Sequence, residues 1–200
     1  MDFKAYYLSD MDRYGKESPG RGLEKFHYYF RKTQSTKNKL LRAYYRWRYR
    51  GIREKYHIEI FTPTKIGRGL YIGHPCGITV NPKAVLGENI NLHKGVTIGQ
   101  ENRGSRKGVP TIGNYVWIGI NATVIGNITI GDDVLIAPNS YVNCDVPSHS
   151  IVYGNPCSVK PRYNATESYI NHVVPMSDPE KEKAIWCGEE QWRKSLEAAQ

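Results

Sequence analysis

Two histidines and a cationic loop are the residues of this 200-residue chain best suited to chemistry. His74 lies in Gly73-His74-Pro75-Cys76-Gly77, and His93 lies in Leu92-His93-Lys94-Gly95. Imidazole is the side chain whose ordinary pKa lets it take and return a proton near neutral pH. Residues 99–111 form a polar, glycine-rich stretch carrying Arg103, Arg106 and Lys107. A loop of this kind on a rigid scaffold suits a ligand lid, so Arg103 and Arg106, with His93, are candidate substrate-binding groups. Cys76, Cys144, Cys157 and Cys187 form no CxxC pair and no metal-ligand spacing. They read as free thiols of a reducing compartment, and no metal is expected.

The elements that must position these residues are written in a rhythm of six. Ile112, Ile118, Val124, Ile130, Ile136 and Val142 stand six apart. The same step runs through Ile60, Ile66, Ile72 and Ile78, slips by two, and resumes at Val80, Leu86, Leu92 and Ile98. A period of six fits neither a helix nor a lone strand. It fits a chain that turns a corner every six residues with one aliphatic pointing inward per face, so that each coil buries its core by stacking on the next. Ile, Val and Thr suit the flat faces, while Gly, Asn, Asp and Pro recur where corners are needed. The fold class is therefore mainly β, a parallel β-helix of hexapeptide repeats. The step from Ile98 to Ile112 is 14, an insertion of eight residues into the coil.

Three segments follow. Residues 1–57 form a basic helical segment, 58–162 the β-helix with the inserted loop 99–111, and 163–200 a C-terminal extension with a helix. The formal charge of +9 belongs to the first segment, which holds 15 Lys and Arg against 6 Asp and Glu. From Ser35 onward Leu41, Tyr44, Tyr45, Arg48 and Ile52 are predicted to share one helical face. This segment is read as a cap on the first coil or as a contact with an anionic membrane surface. Nucleic acid is not expected, because the remainder of the chain is neutral. In the tail, Ser177-Asp178-Pro179-Glu180 reads as a capping box opening a helix that turns Ile185, Trp192 and Leu196 inward. No apolar signal segment or membrane span is visible, so the expected location is cytoplasmic, with any membrane contact peripheral.

The motifs resemble a known family. The run from Glu59 through Thr64-Lys65-Ile66-Gly67-Arg68-Gly69, His74 and Gly77-Ile78, followed by Val96-Thr97-Ile98-Gly99 and the loop, is similar to serine acetyltransferases. Ile112-Gly113, Val116-Trp117-Ile118-Gly119 and Gly154-Asn155-Pro156-Cys157 resemble the galactoside and maltose acetyltransferases. Both groups are left-handed β-helix acyltransferases that work as trimers on acetyl-CoA. The resemblance implies a homotrimer with His74 as general base and Glu59 in the place of the carboxylate that orients it. It also implies a groove for acetyl-CoA along Trp117, Gly119, Ala137 and Pro138, with Asn155, Lys160 and Arg162 toward the nucleotide end. The base is needed because an alcohol is a poor nucleophile until its proton is taken.

The chain also departs from the serine acetyltransferase pattern. Gly73 stands where that family has an acidic residue that receives the substrate ammonium, and Gly108 and Val109 stand where it has an Arg-His pair. Those losses point toward an uncharged polyol, so the expected acceptor is a sugar or glycan of a capsule, exopolysaccharide or lipopolysaccharide. A serine O-acetyltransferase and a non-catalytic trimeric β-helix scaffold are the alternatives.

Overall fold

The computed structural model describes residues 1–198. Three helices, α1 (Phe3–Asp12), α2 (Gly20–Ser35) and α3 (Lys39–Tyr56), precede a parallel β-helix. Its strands are β1 (Ile58–Ile60), β2 (Lys65–Ile66), β3 (Tyr71–Ile72), β4 (Ile78–Val80), β5 (Val85–Leu86), β6 (Asn91–Leu92), β7 (Thr97–Gly99), β8 (Thr111–Ile112), β9 (Val116–Ile118), β10 (Thr123–Ile125), β11 (Thr129–Ile130), β12 (Val134–Ile136), β13 (Tyr141–Val142), β14 (Ser150–Tyr153) and β15 (Ser158–Pro161). They stack into three sheets, β1-β4-β7-β10-β13, β2-β5-β8-β11 and β3-β6-β9-β12-β14-β15, here called the first, second and third faces. Every pairing is parallel except β14 with β15, which closes the last coil as a hairpin.

The aliphatics of the six-residue rhythm are the core. Ile60, Val80, Ile98, Val124 and Val142 stack on the first face, and Ile72, Leu92, Ile118, Ile136 and Val152 on the third. All ten are at most 1% exposed, so each inward side chain contributes on the order of 1.5–3 kcal/mol of transfer free energy. The corner between the second and third faces repeats a left-handed backbone in every coil, at Gly69, Asn89, Tyr115, Asp133 and His149.

A stacked coil leaves its first edge without a neighbour, and the basic segment supplies one. Leu23, Phe26, Phe30 and Tyr49 continue the apolar core beyond the first coil. Side chains then satisfy the open backbone. Leu70 N–H donates to Asp10, Gly69 N–H to Ser9, and Ile72 N–H to the Tyr14 hydroxyl. Arg31 donates to the carbonyls of Ile66 and Gly67, and Arg13 to that of Gly69. Arg31 also holds Asp10 through two bonds of 2.7 and 2.9 Å in a fully buried pair, with His27 at 3.3 Å on the same carboxylate. Burial pushes the Asp10 carboxyl up, but Arg31 and the hydrogen bonds outweigh it and hold it below the ordinary range.

The α3 face differs from expectation. Tyr49 is buried and Tyr45, Ile52 and Tyr56 are half-buried, whereas Leu41 and Tyr44 are exposed at 44% and 46%. Helix α3 meets α2 through Tyr45 and Tyr49, with Tyr49 on the rings of Phe26 and Phe30 at 5.2 and 5.7 Å, so the contact stripe lies one step round from Leu41 and Tyr44. The tail also differs. It forms two helices, α4 (Pro179–Ile185) and α5 (Glu189–Ala198), broken at Gly188 with φ +97°. Asp178 caps α4 by accepting from Lys181 N–H, while Ser177 instead donates to Glu88. Ile185 is buried, and Trp192 and Leu196 are half-buried.

Residues 163–177 run as a strap along the corner of left-handed residues. Asn89 bonds both backbone groups of Val174, at 2.9 and 3.0 Å. Buried Asp133 accepts from Ala165 N–H, Thr166 N–H, the Thr166 hydroxyl and His149. Among the described residues, no helix is long and apolar enough to cross a membrane.

Two outcomes test this packing. Asp10→Asn leaves a buried guanidinium without its carboxylate and is expected to lower the unfolding free energy in urea by about 3–5 kcal/mol; a loss below about 1 kcal/mol contradicts the edge account. Asp133→Ala is expected to make the strap a site of limited proteolysis at a protease level that leaves the wild type intact, and equal resistance contradicts its anchoring role.

Candidate active site

The corner between the third and first faces carries the candidate residues. Pairing of Ile72 with Leu92, Leu92 with Ile118, Ile118 with Ile136 and Ile136 with Val152 sets the residues that follow in one column: Gly73, His93, Gly119, Ala137 and Tyr153. In the middle coils three residues lead from the inward aliphatic to a left-handed corner residue: Gly95, Asn121 and Asn139. In the first coil that residue is Gly77, five positions after Ile72, so the two-residue slip in the rhythm is an enlargement of this one corner. The enlarged turn holds His74 exposed at its apex, and Cys76 adopts φ +141° to return the chain. Gly77 N–H donates to the His57 carbonyl and ties the turn to the end of α3.

His93 lies directly above the start of that turn. A Cβ on Gly73 would fall 2.5 Å from both Cε1 and Nδ1 of His93, so the imidazole occupies the place of a side chain at position 73. The His93 ring lies 4.8 Å from Trp117 and 6.2 Å from His74, centroid to centroid. Its Nε2 is buried without a hydrogen-bond partner among the described residues. Burial, reinforced by the neighbouring His74, pushes its pKa down to about 4, so this imidazole is neutral at neutral pH.

A cavity of about 690 Å³ opens beside this corner, lined by Gly73, His93, Tyr71, Trp117, Arg13 and Tyr169 among others. Three segments build it: the turn after α1, the third face, and the strap. Arg13 and Tyr169 escape a reading of the rhythm because they lie outside the coils. The aromatic content of the N-terminal segment and tail is their one trace in the sequence.

The remaining candidates are placed as follows. Glu59 points outward on β1 and makes no hydrogen bond to His74 within the chain; it lines a cleft of about 480 Å³ with Gly77. Gly119 and Ala137 continue the column on the far side of His93 from Gly73, with Pro138 following Ala137 and Trp117 two residues before Gly119. The N–H groups of Gly119 and Ala137 are committed to the carbonyls of Ile136 and Val152. Asn155 is exposed at the last coil on the same side, and Lys160 is exposed on β15. Arg162 lies at the far end of the hairpin, its N–H on the His149 carbonyl. The loop 99–111 leaves at the opposite edge of the first face. Glu101 and Gly108 bridge its base, Asn127 N–H donates to Arg106, and Arg103 and Arg106 are exposed. Within one chain, the structure brings His74, His93 and Trp117 together and leaves Glu59, Arg103 and Arg106 apart from them.

Comparison with known proteins gives this arrangement its context. Residues 110–144 match the family model of the bacterial transferase hexapeptide, six repeats. A serine acetyltransferase of Helicobacter pylori is 40% identical over 49% of this chain and 57% of its own length. Serine acetyltransferase 2 of Arabidopsis thaliana is 33% identical over 62% of this chain and 42% of its own. The chain thus spans about half the length of these curated relatives. The crystal structure of Neisseria gonorrhoeae serine acetyltransferase superposes with a TM-score of 0.62 at 26% identity, covering 80% of this chain and 65% of that one.

These findings overturn the expected sugar acceptor, since the relatives and structures are serine acetyltransferases. The inference from Gly73, Gly108 and Val109 failed because a side chain missing at one position says nothing of what another coil puts in its space. At Gly73 that space is filled by His93. By its repeats, its coils and these likenesses, the chain is similar to the left-handed β-helix acyltransferases of the serine acetyltransferase type.

Proposed function

We propose that this chain is an acetyl-CoA-dependent serine O-acetyltransferase with His74 as its general base. The observation that carries the reading is the likeness to serine acetyltransferases in both sequence and fold. The enlarged first-coil corner supports it, because it lifts an imidazole clear of the backbone at the head of the column that runs past Trp117, Gly119 and Ala137. Acetyl transfer forms a bond between the serine hydroxyl oxygen and the acetyl carbon and breaks the carbon–sulfur bond. His74 takes the hydroxyl proton as that bond forms and returns it to the departing thiolate. The flat face of Trp117 and the column that continues from it suit the extended arm of acetyl-CoA, with the carbonyl of Gly119, which takes one bond from Ala122 N–H, accepting from an amide of that arm through its second lone pair. Lys160 and, less directly, Arg162 supply cations for the phosphates.

Glu59 and the loop belong to the same proposal through assembly. The loop projects from one edge of the first face and His74 from the other, so subunits set side by side in a homotrimer bring Arg103 and Arg106 of one chain toward the His74 corner of the next. The cytoplasmic location expected from the sequence goes with this reading.

The test is thiol release from acetyl-CoA. L-Serine is expected to stimulate release by the wild type, and His74→Ala to lower kcat by about 10²–10⁴-fold with acetyl-CoA affinity unchanged by calorimetry. Serine-dependent release that survives in His74→Ala contradicts the role of His74. A wild type that binds no acetyl-CoA contradicts the enzymatic reading and leaves a scaffold.

A further inference from the structure

We propose that His93 receives the amine of the acceptor, its imidazole standing where the residue before His74 has no side chain. This rests on the serine reading above and adds the group that selects an amino alcohol over a simple hydroxy acid.

The argument is one of unmet hydrogen bonding. A buried polar atom without a partner costs about 1–3 kcal/mol, so such atoms in folded proteins mark strain, a catalytic or ligand-binding role, or the place of a bound water or ion. Among the described residues His93 Nε2 is buried and has no hydrogen-bond partner, while the ring lies between Trp117 on one side and the bare backbone of Gly73 on another. The ring also lines the cavity beside the His74 turn. A fixed imidazole 6.2 Å from the candidate base is near enough for one small ligand to touch both rings.

Charge decides which group of serine it takes. A neutral imidazole carries one nitrogen with a lone pair and no positive charge to repel a cation. The serine carboxylate has no proton to donate, whereas its ammonium has three. The hydroxyl and amine sit on adjacent carbons, so a hydroxyl on His74 leaves the amine beside His93. Tyr71 and Trp117 add ring faces that favour a cation.

Position 73 is the structural counterpart. A side chain there would require the His93 ring to move, because its Cβ would fall 2.5 Å from two side-chain ring atoms, Cε1 and Nδ1. The two positions therefore exchange one space between adjacent coils.

The experiment compares L-serine with 3-hydroxypropanoate, which lacks the amine, in the wild type, His93→Leu and His93→Gln. His93→Leu is expected to lower kcat/KM for L-serine about 10–100-fold, the range for a hydrogen bond to a charged group, and to leave 3-hydroxypropanoate within about twofold. His93→Gln keeps an acceptor oxygen and is expected to recover part of the loss. Equal losses on both acceptors, or none on L-serine, overturn the proposal. Calorimetric binding of L-serine needs no turnover and separates this inference from the reaction itself. A wild type that binds L-serine but does not acetylate it sinks the proposed function, and His93 is then judged by whether His93→Leu weakens that binding while His93→Gln restores it.

Discussion

Stacking register is the constraint on which everything else here depends. A two- or three-residue strand is stable only because the same strand in the coil above and below completes its hydrogen bonds and buries its one inward aliphatic. Once Ile72 pairs with Leu92 and Leu92 with Ile118, the residue after each is also placed, and a column of function is laid along the corner without any further device. The rigidity of the column comes from the core, and the chemistry comes from what the corners are allowed to carry. An enlarged corner costs little in such a solenoid, because the inward residues on either side, Ile72 and Val80, keep their partners Leu92 and Ile98.

The same constraint explains the N-terminal segment. A solenoid must end, and its first coil exposes both apolar core and unpaired backbone. The basic helices meet both needs, with Phe26 and Phe30 on the core and Asp10, Arg13 and Arg31 on the backbone groups of residues 66–72. Part of the charge excess is thereby spent inside the molecule. Arg31 is fully buried and Arg13 is 2% exposed. The segment also closes one side of the cavity beside His93, so the cap and the site share residues.

Much of this was legible in the sequence, for physical reasons that differ by element. The coils were legible because a period of six has one structural meaning, and the slip of two before Val80 was visible, but the enlarged corner behind it, between Ile72 and Gly77, emerged only from the structure. The inserted loop was legible as a break in phase. The tail was legible as a packing strap or capping helix, but its anchoring was not, because residues 163–177 follow no period and are held by polar side chains of the coils, Asn89 and Asp133, whose partners lie far off in sequence. The capping box misled for a related reason: Ser177 finds a better acceptor in Glu88 than the helix offers. The acceptor was misjudged because Gly73 was read along the chain, where it is an empty position. Across the coils it is the space taken by His93.

The most direct measurement is the structure of the protein with L-serine bound. The account predicts the serine hydroxyl within hydrogen-bond reach of the His74 imidazole and the amine on Nε2 of His93. Serine held with its amine turned away from His93, or bound away from the His74 corner, would contradict it.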